Sequence, residues 1–251
     1  MSQYYSSKRT KGLFDPKSKE PFKLSRTKIE LFIDCPRCFY LDRKLGVGRP
    51  PGYPFSLNSA VDALLKKEFD IHRAKNEKHP LIEKYGVDAV PVGHKKLAEW
   101  RHNFTGVQYL HKSTNLLIFG AIDDLWQNKK GEYIVVDYKA TSKAEKIDSL
   151  NKDWQGGYRR QMEIYQWLLR KNDLKVSDTG YFVYCNGQTD REAFDAKLEF
   201  DISLIPYKGN DSWVEGKILE AHKCLSEAKI PSASHNCDYC AYIKSVKENE
   251  K

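Results

Sequence analysis

GAIDDLWQNKKGEYIVVDYKAT, Gly120 to Thr141, holds the residues on which the reading of this chain turns. Ile118 to Trp126 is an apolar-rich run, Gln127 to Glu132 is a polar turn containing Gly131, and Tyr133 to Lys139 is a β-branched run. The stretch predicts a β-hairpin. Side chains alternate across a strand, which puts Asp137 and Lys139 on one face and turns Tyr138 away from them. Asp123 on the partner strand then supplies a second carboxylate. Hard divalent cations take oxygen ligands, and a lysine beside one orients water or offsets charge on a phosphate. A solvated hairpin with charges along its edge is the plainer reading. Against it, IVVDYKA embeds its charges in an apolar strand of the buried kind, where an Asp or Lys needs a partner or a metal.

Length and charge frame this stretch. With 251 residues and 40% hydrophobic content the chain can bury a sizeable core, as one large domain or a domain with an appended lobe. No segment approaches the roughly 20 apolar residues of a membrane span. The opening MSQYYSSKRTKGLFDPKSKEPFK has no apolar core of a secretory signal, so the expectation is a soluble, cytoplasmic protein without membrane contact. Residues 1–22 read as a flexible basic arm. Forty-two basic against 34 acidic residues leave a formal charge of +8, with a pI near 9.0. Such a surplus favours polyanions. The lysines are widely spread and a solvated face is their default role. The coincidence of basic excess with a carboxylate pair is what points to nucleic acid.

Four of the six cysteines form two identical spacings, Cys35-Pro-Arg-Cys38 and Cys237-Asp-Tyr-Cys240. Each Cys-x-x-Cys presents two thiolates from one tight turn, and two such pairs complete a four-sulfur site suited to zinc or to an iron–sulfur cluster. The alternatives are four unrelated buried thiols or a pair of redox-active motifs. A reducing compartment disfavours disulfides and leaves the shared metal ahead. The site would tie the ends of the chain together, a structural role first. Cys185 and Cys224 read as ordinary buried thiols.

Elsewhere, Thr27 and Glu30 form a capping-box pattern ahead of a helix interrupted at Pro36. A second helix is expected over Arg37 to Leu45, and Leu57 to Phe69 is amphipathic with Leu57, Val61, Leu64 and Leu65 on one side. His72 to Gly106 is mixed, with one helix around Lys95 to His102. Asp153 to Lys171 is strongly helical and puts Gln161 and Tyr165 on one face. Strands follow at Thr179 to Cys185 and Ala196 to Ile202, then a helix over Ser212 to Ala228.

Together these segments resemble the PD-(D/E)XK nuclease superfamily, and within it the RecB-like branch that includes the AddB nuclease domain and the CRISPR-associated adaptation exonucleases. The resemblance spans Leu24 to Tyr242. LSRTKIELFIDCPRCFYL looks like the family's N-terminal helix and Cys-Pro step, and GAIDD is similar to its Gly-x-x-Asp motif. VVDYK fits its acidic-x-Lys motif, and QMEIY its Gln-x-x-x-Tyr helix. The resemblance implies an α/β fold with a mixed central β-sheet flanked by helices, a restriction-endonuclease-like core. Its domain would be single, residues 23–251, with a cysteine lobe formed by 24–50 and 229–243.

By the same resemblance Asp123 and Asp137 bind magnesium or manganese, the Tyr138 carbonyl is a further ligand, and Lys139 positions the attacking water. Gln161 and Tyr165 contact the metal-site residues or the DNA backbone. Where relatives carry a histidine ligand on the helix before the hairpin, FSLNSAVDALLKKEF offers Asp62, a carboxylate equally suited to a hard cation; the alternative is an exposed helix aspartate. Relatives with a four-iron cluster join one early cysteine to three late ones, whereas this chain offers two and two. The resemblance implies a 4Fe-4S cluster, with zinc as the alternative. The implied activity is metal-dependent hydrolysis of DNA, as an exonuclease or end-processing enzyme on single strands, in CRISPR adaptation, recombination or repair. The competing function is a non-catalytic DNA-binding or adaptor protein acting through a partner such as an integrase or helicase.

Overall fold

The computed structural model describes residues 8–52, 56–145 and 147–250. In chain order its elements begin with β1 (Phe22–Ser25), α1 (Arg26–Asp34), α2 (Pro36–Arg43), α3 (Ser56–Lys75), α4 (Pro80–Lys84) and β2 (Ala89–Pro91). There follow α5 (Leu97–Trp100), β3 (Val107–His111), β4 (Leu116–Gly120), β5 (Asp124–Asn128) and β6 (Tyr133–Thr141). A 3-10 turn (Asp153–Gln155) leads into α6 (Gly156–Arg170), then β7 (Thr179–Gly187), β8 (Phe200–Lys208), α7 (Val214–Ser226) and α8 (Asp238–Asn249). Two compact units result: Pro54–Gln108 with Gly120–Asp211, and Met1–Tyr53 with Tyr109–Phe119 and Ser212–Lys251. No helix among the described residues is long and apolar enough to cross a membrane.

The larger unit is built on a five-stranded sheet in the order β2-β5-β6-β7-β8. β5 and β6 are antiparallel, β6 and β7 parallel, and β7 and β8 antiparallel. A parallel pair needs a crossover, and α6 is that crossover. Strand alternation sorts β6 cleanly. Ile134, Val136 and Tyr138 join a core with Leu65 and Phe69 of α3, Trp126, Val183 and Leu204, while Asp137 and Lys139 reach residues of α6. α6 approaches the sheet closely because position 180 lacks a side chain: a β-carbon there would run into the Met162 sulfur and the Val135 carbonyl. The sheet is thus mixed and flanked by helices, as the sequence predicts.

Several boundaries differ from the sequence expectation. The first arm of the hairpin is not one strand. β4 belongs to a separate three-stranded sheet, β5 starts at Asp124, and Ala121–Asp123 lie between them. Ile122 is fully buried and its N–H is taken by the Trp100 carbonyl at 3.1 Å, so the backbone leaves the strand path there. The turn itself forms as expected. Asn128 Oδ1 accepts from the N–H of Lys130 and Glu132 at 3.0 and 2.9 Å, and Gly131 takes a positive φ of 72°. The buried stripe of α3 is Leu65 and Phe69 with Val61 at its edge, whereas Leu57 and Leu64 face solvent. β8 lies at Phe200–Lys208 and not at Ala196 to Ile202; as the edge strand of the sheet it accommodates Pro206. The segment read as one helix at Lys95 to His102 carries only α5, with α4 and β2 preceding it.

In the smaller unit β1 runs parallel to β4 in a sheet ordered β1-β4-β3. Ser25, not Thr27, caps α1, its hydroxyl accepting from the Lys28 N–H at 3.3 Å. Cys35 closes α1 and opens α2, with Pro36 at the first helical position where its missing N–H is harmless. Within the arm expected to be flexible as far as Phe22, Arg9 and Phe14 make specific contacts, while residues 10–12 and 15–21 are exposed. Arg9 pairs with Asp42 at 2.8 Å, Phe14 is buried edge-on against Phe22, and Phe22 itself opens β1. Residues 1–7 of that arm lie outside the described residues.

Candidate functional site

β6 carries Asp137 into the interior of the larger unit with no exposed surface. Its Oδ1 accepts from Gln161 Nε2 at 2.7 Å, and its other oxygen is ion-paired with Lys139 two residues along the same face. Lys139 Nζ also donates to Gln161 Oε1 at 3.3 Å, and Gln161 Nε2 reaches the Tyr165 hydroxyl at 3.1 Å. Only one orientation of the Gln161 amide serves both neighbours, nitrogen toward the carboxylate and oxygen toward the ammonium. Burial alone would lower the Lys139 pKa, yet the charges of Asp137 and Asp123 raise it above the ordinary lysine value.

Asp123 enters from outside the ladder. The β5–β6 register ends at Asp124↔Val136, and one step further the Asp123 carboxylate accepts the Tyr138 N–H at 2.9 Å, standing where a strand carbonyl would. Its other oxygen is 3.5 Å from Lys66 Nζ, which sits 2.8 Å from Asp62 one turn earlier on α3. Asp62 is therefore neighbour to Asp123 across one ammonium. Burial and the Asp123 charge push its pKa up, while Lys66 pulls the other way. Each carboxylate of the group is held by a lysine. Among the described residues Asp62, Asp123 and Asp137 do not gather as tightly as the cysteine sulfurs do.

Sequence reasoning missed what lies behind this group. Asp124, fully buried, accepts from Arg101 at 2.7 Å, from the Tyr138 hydroxyl at 2.8 Å, from Trp126 Nε1 at 3.3 Å and from Arg73. Arg101 also donates through Nε to the Asp123 carbonyl at 3.0 Å and holds Asp70 with both Nη1 bonds at 2.8–2.9 Å. A buried carboxylate needs such partners, and here they fix the backbone that presents Asp123 and Tyr138. The doubled acid of GAIDD was the available signal: one of two adjacent residues must turn into the core.

The four motif cysteines converge in the smaller unit. Cys38 Sγ lies 3.5 Å from Cys237 and 3.6 Å from Cys240, Cys35 lies 3.9 Å from Cys240, and all four sulfurs fall within 4.8 Å of one another. Arg49 donates to Cys237 Sγ at 3.3 Å and pairs with Asp34 at 2.6 Å. Although burial opposes ionisation of Cys35, hydrogen bonds with Ser234, Cys38 and Cys237 bring its thiol down to about 6. Burial pushes Cys38 up to about 11 despite Arg49, and Cys240 rises too. Four thiolates packed this closely need a cation to ionise together, which is what a metal supplies. Cys185 is buried in the sheet and Cys224 lies apart from the group.

Over residues 56–245 the sequence matches the PD-(D/E)XK nuclease superfamily. The chain belongs to that family. Its members are nucleases that use divalent metals, which sets nucleic acid as the substrate class. Comparison with curated proteins finds no match.

Proposed function

We propose that the protein is a magnesium- or manganese-dependent deoxyribonuclease of the RecB-like branch, processing single-stranded DNA ends in CRISPR adaptation, recombination or repair. The observation that carries the reading is the convergence of Asp137, Lys139 and Gln161 with Asp123 along the second half of β6. The donor set fits a hard cation: the carboxylates of Asp123 and Asp137, the Tyr138 carbonyl that the resemblance implies, and Asp62 beside Asp123 across Lys66. Lys66 already places a positive charge between Asp62 and Asp123. When bound there, a divalent ion supplies Lewis-acid polarisation of a phosphoryl oxygen and a water of lowered pKa.

The chain's own residues do the rest. Lys139, its charge favoured by Asp137 and Asp123, stays protonated, so it serves as a donor that orients water or offsets phosphate charge and not as a base. Gln161 holds Asp137 and Lys139 in mutual register, and Tyr165 holds Gln161. The net charge of +8 draws the strand in.

For the cysteine centre, three sulfur separations of 3.5–3.9 Å, with all four sulfurs within 4.8 Å of one another, suit a single tetrahedral ion. Zinc–sulfur bonds of about 2.3 Å give edges of about 3.8 Å. A four-iron cube, which resemblance implies, sets its thiolates wider. A visible absorption spectrum with metal analysis of anaerobically purified protein separates the two: iron with broad absorption overturns zinc.

Wild type is assayed against Asp137→Ala and Lys139→Ala on single- and double-stranded DNA with magnesium or manganese. Metal-dependent cleavage by wild type, reduced about 10²-fold or more in each variant, is expected. Absence of wild-type cleavage with DNA binding retained would overturn the nuclease reading in favour of an adaptor that works through an integrase- or helicase-like partner.

A further inference from the structure

Ahead of α6, residues 147–155 form a hydrogen-bonded segment that holds one large aromatic outward. Ile147 and Leu150 are buried, and Gln155, with no exposed surface, accepts from the Lys152 N–H at 2.9 Å and donates to the Ser149 carbonyl at 3.3 Å. Arg159 ties the same segment down through the carbonyls of Leu150 and Lys152. Between these anchors Trp154 is 48% exposed.

The presentation continues the site already described. Lys139 Nζ lies 4.9 Å from the centre of the Tyr158 ring, Tyr158 meets Trp154 edge-on at 6.1 Å, and Lys143 Nζ stands 4.0 Å over the indole. Lysine and aromatic alternate from the proposed reacting centre to the surface: Lys139, Tyr158, Trp154, Lys143. Stacking an unpaired base on an aromatic face while an ammonium meets its phosphate is how single strands are held without sequence preference. Paired bases in a duplex have no free face to offer.

We infer that Trp154 is a base-stacking residue for an unpaired nucleotide beside the scissile phosphate, the base taking the indole face that Lys143 leaves uncovered and Lys143 meeting the adjoining backbone. This rests on the nuclease reading above and names its substrate class: a strand that is single at the point of cleavage.

The test uses full-length, metal-loaded protein, a labelled oligothymidylate, the same oligonucleotide with one abasic position moved along it, and a blunt duplex. Trp154→Ala raises KM on the intact single strand about tenfold with kcat little changed, and Trp154→Phe retains most of the wild-type KM. An abasic position at one point in the strand costs wild type as much, and costs Trp154→Ala nothing further. Affinity for the blunt duplex is unaffected. Equal KM for wild type and Trp154→Ala on the single strand overturns the inference, as does an equal loss on single strand and duplex. If wild type cleaves nothing, the nuclease reading fails on its own account, and affinity for the same oligonucleotides decides the stacking. Binding about tenfold weaker in Trp154→Ala supports it, and unchanged binding overturns it.

Discussion

The carboxylate group of the larger unit and the cysteine group of the smaller one are both candidate metal centres, yet they are held in opposite ways. Asp123, Asp137 and Asp62 are already satisfied by Lys139, Gln161, the Tyr138 N–H and Lys66. Such a site keeps its shape without an ion and exchanges lysine contacts for one. The cysteines have mostly each other, with Arg49 beside them, and burial opposes the ionisation of Cys38 and Cys240. A site of that kind calls for a bound cation before all four thiols can ionise. The first arrangement suits a cation that comes with substrate, the second an ion kept for structure.

Removing the second metal is therefore the most damaging perturbation. Cys38→Ser with Cys237→Ser should lose bound metal and a large part of the ~10–16 kcal/mol such sites contribute, and hydrogen exchange should accelerate through α1, α2 and α8. Unchanged exchange in those helices would remove the structural role. Asp124→Asn probes the other side of the comparison. It leaves Arg73 and Arg101 buried beside a neutral amide and should cost about 3–5 kcal/mol in chemical denaturation. An Asp124→Asn protein as stable as wild type would mean the carboxylate site is not held from behind.

The smallest effect expected is at Asp62. Its pKa is raised in the fold by burial first and then by Asp123, so the native state binds the proton more tightly than the unfolded chain. Stability from this group falls as pH rises from the ordinary aspartate range through the raised value. Asp62→Asn should therefore remove this falling contribution, so that the stability difference between variant and wild type moves in the variant's favour as pH rises and leaves it slightly more stable at neutral pH without divalent ion. A difference that moves against the variant as pH rises would contradict the assignment of the shift.

What the sequence made legible is what repeats over two to four residues. The alternation that separates Asp137 and Lys139 from Tyr138, the i,i+4 pair Gln161 and Tyr165, and the two Cys-x-x-Cys turns were all readable because each geometry is local. The convergence of the two cysteine turns followed from chemistry, since two thiolates alone leave a tetrahedral ion half-coordinated. What stayed hidden is set by distant pairing. Arg73 and Arg101 meet Asp124 from 51 and 23 residues away, and neither sits in a pattern that announces a buried partner. Asp123 was assigned to a strand when it lies just beyond one, because an apolar run does not record where a ladder ends. Pro206 sits within β8 because an edge strand needs fewer of its N–H groups.

The most direct test of the contrast between the two centres is Asp137→Asn, purified with its cysteine-bound metal intact and assayed on a single-stranded oligonucleotide with magnesium. The side chain keeps its size and can still accept from Gln161 but loses the charge that pairs with Lys139. The account predicts a folded protein with full cysteine-site metal, retained DNA binding and cleavage reduced at least about 10²-fold. Cleavage at the wild-type rate would contradict it.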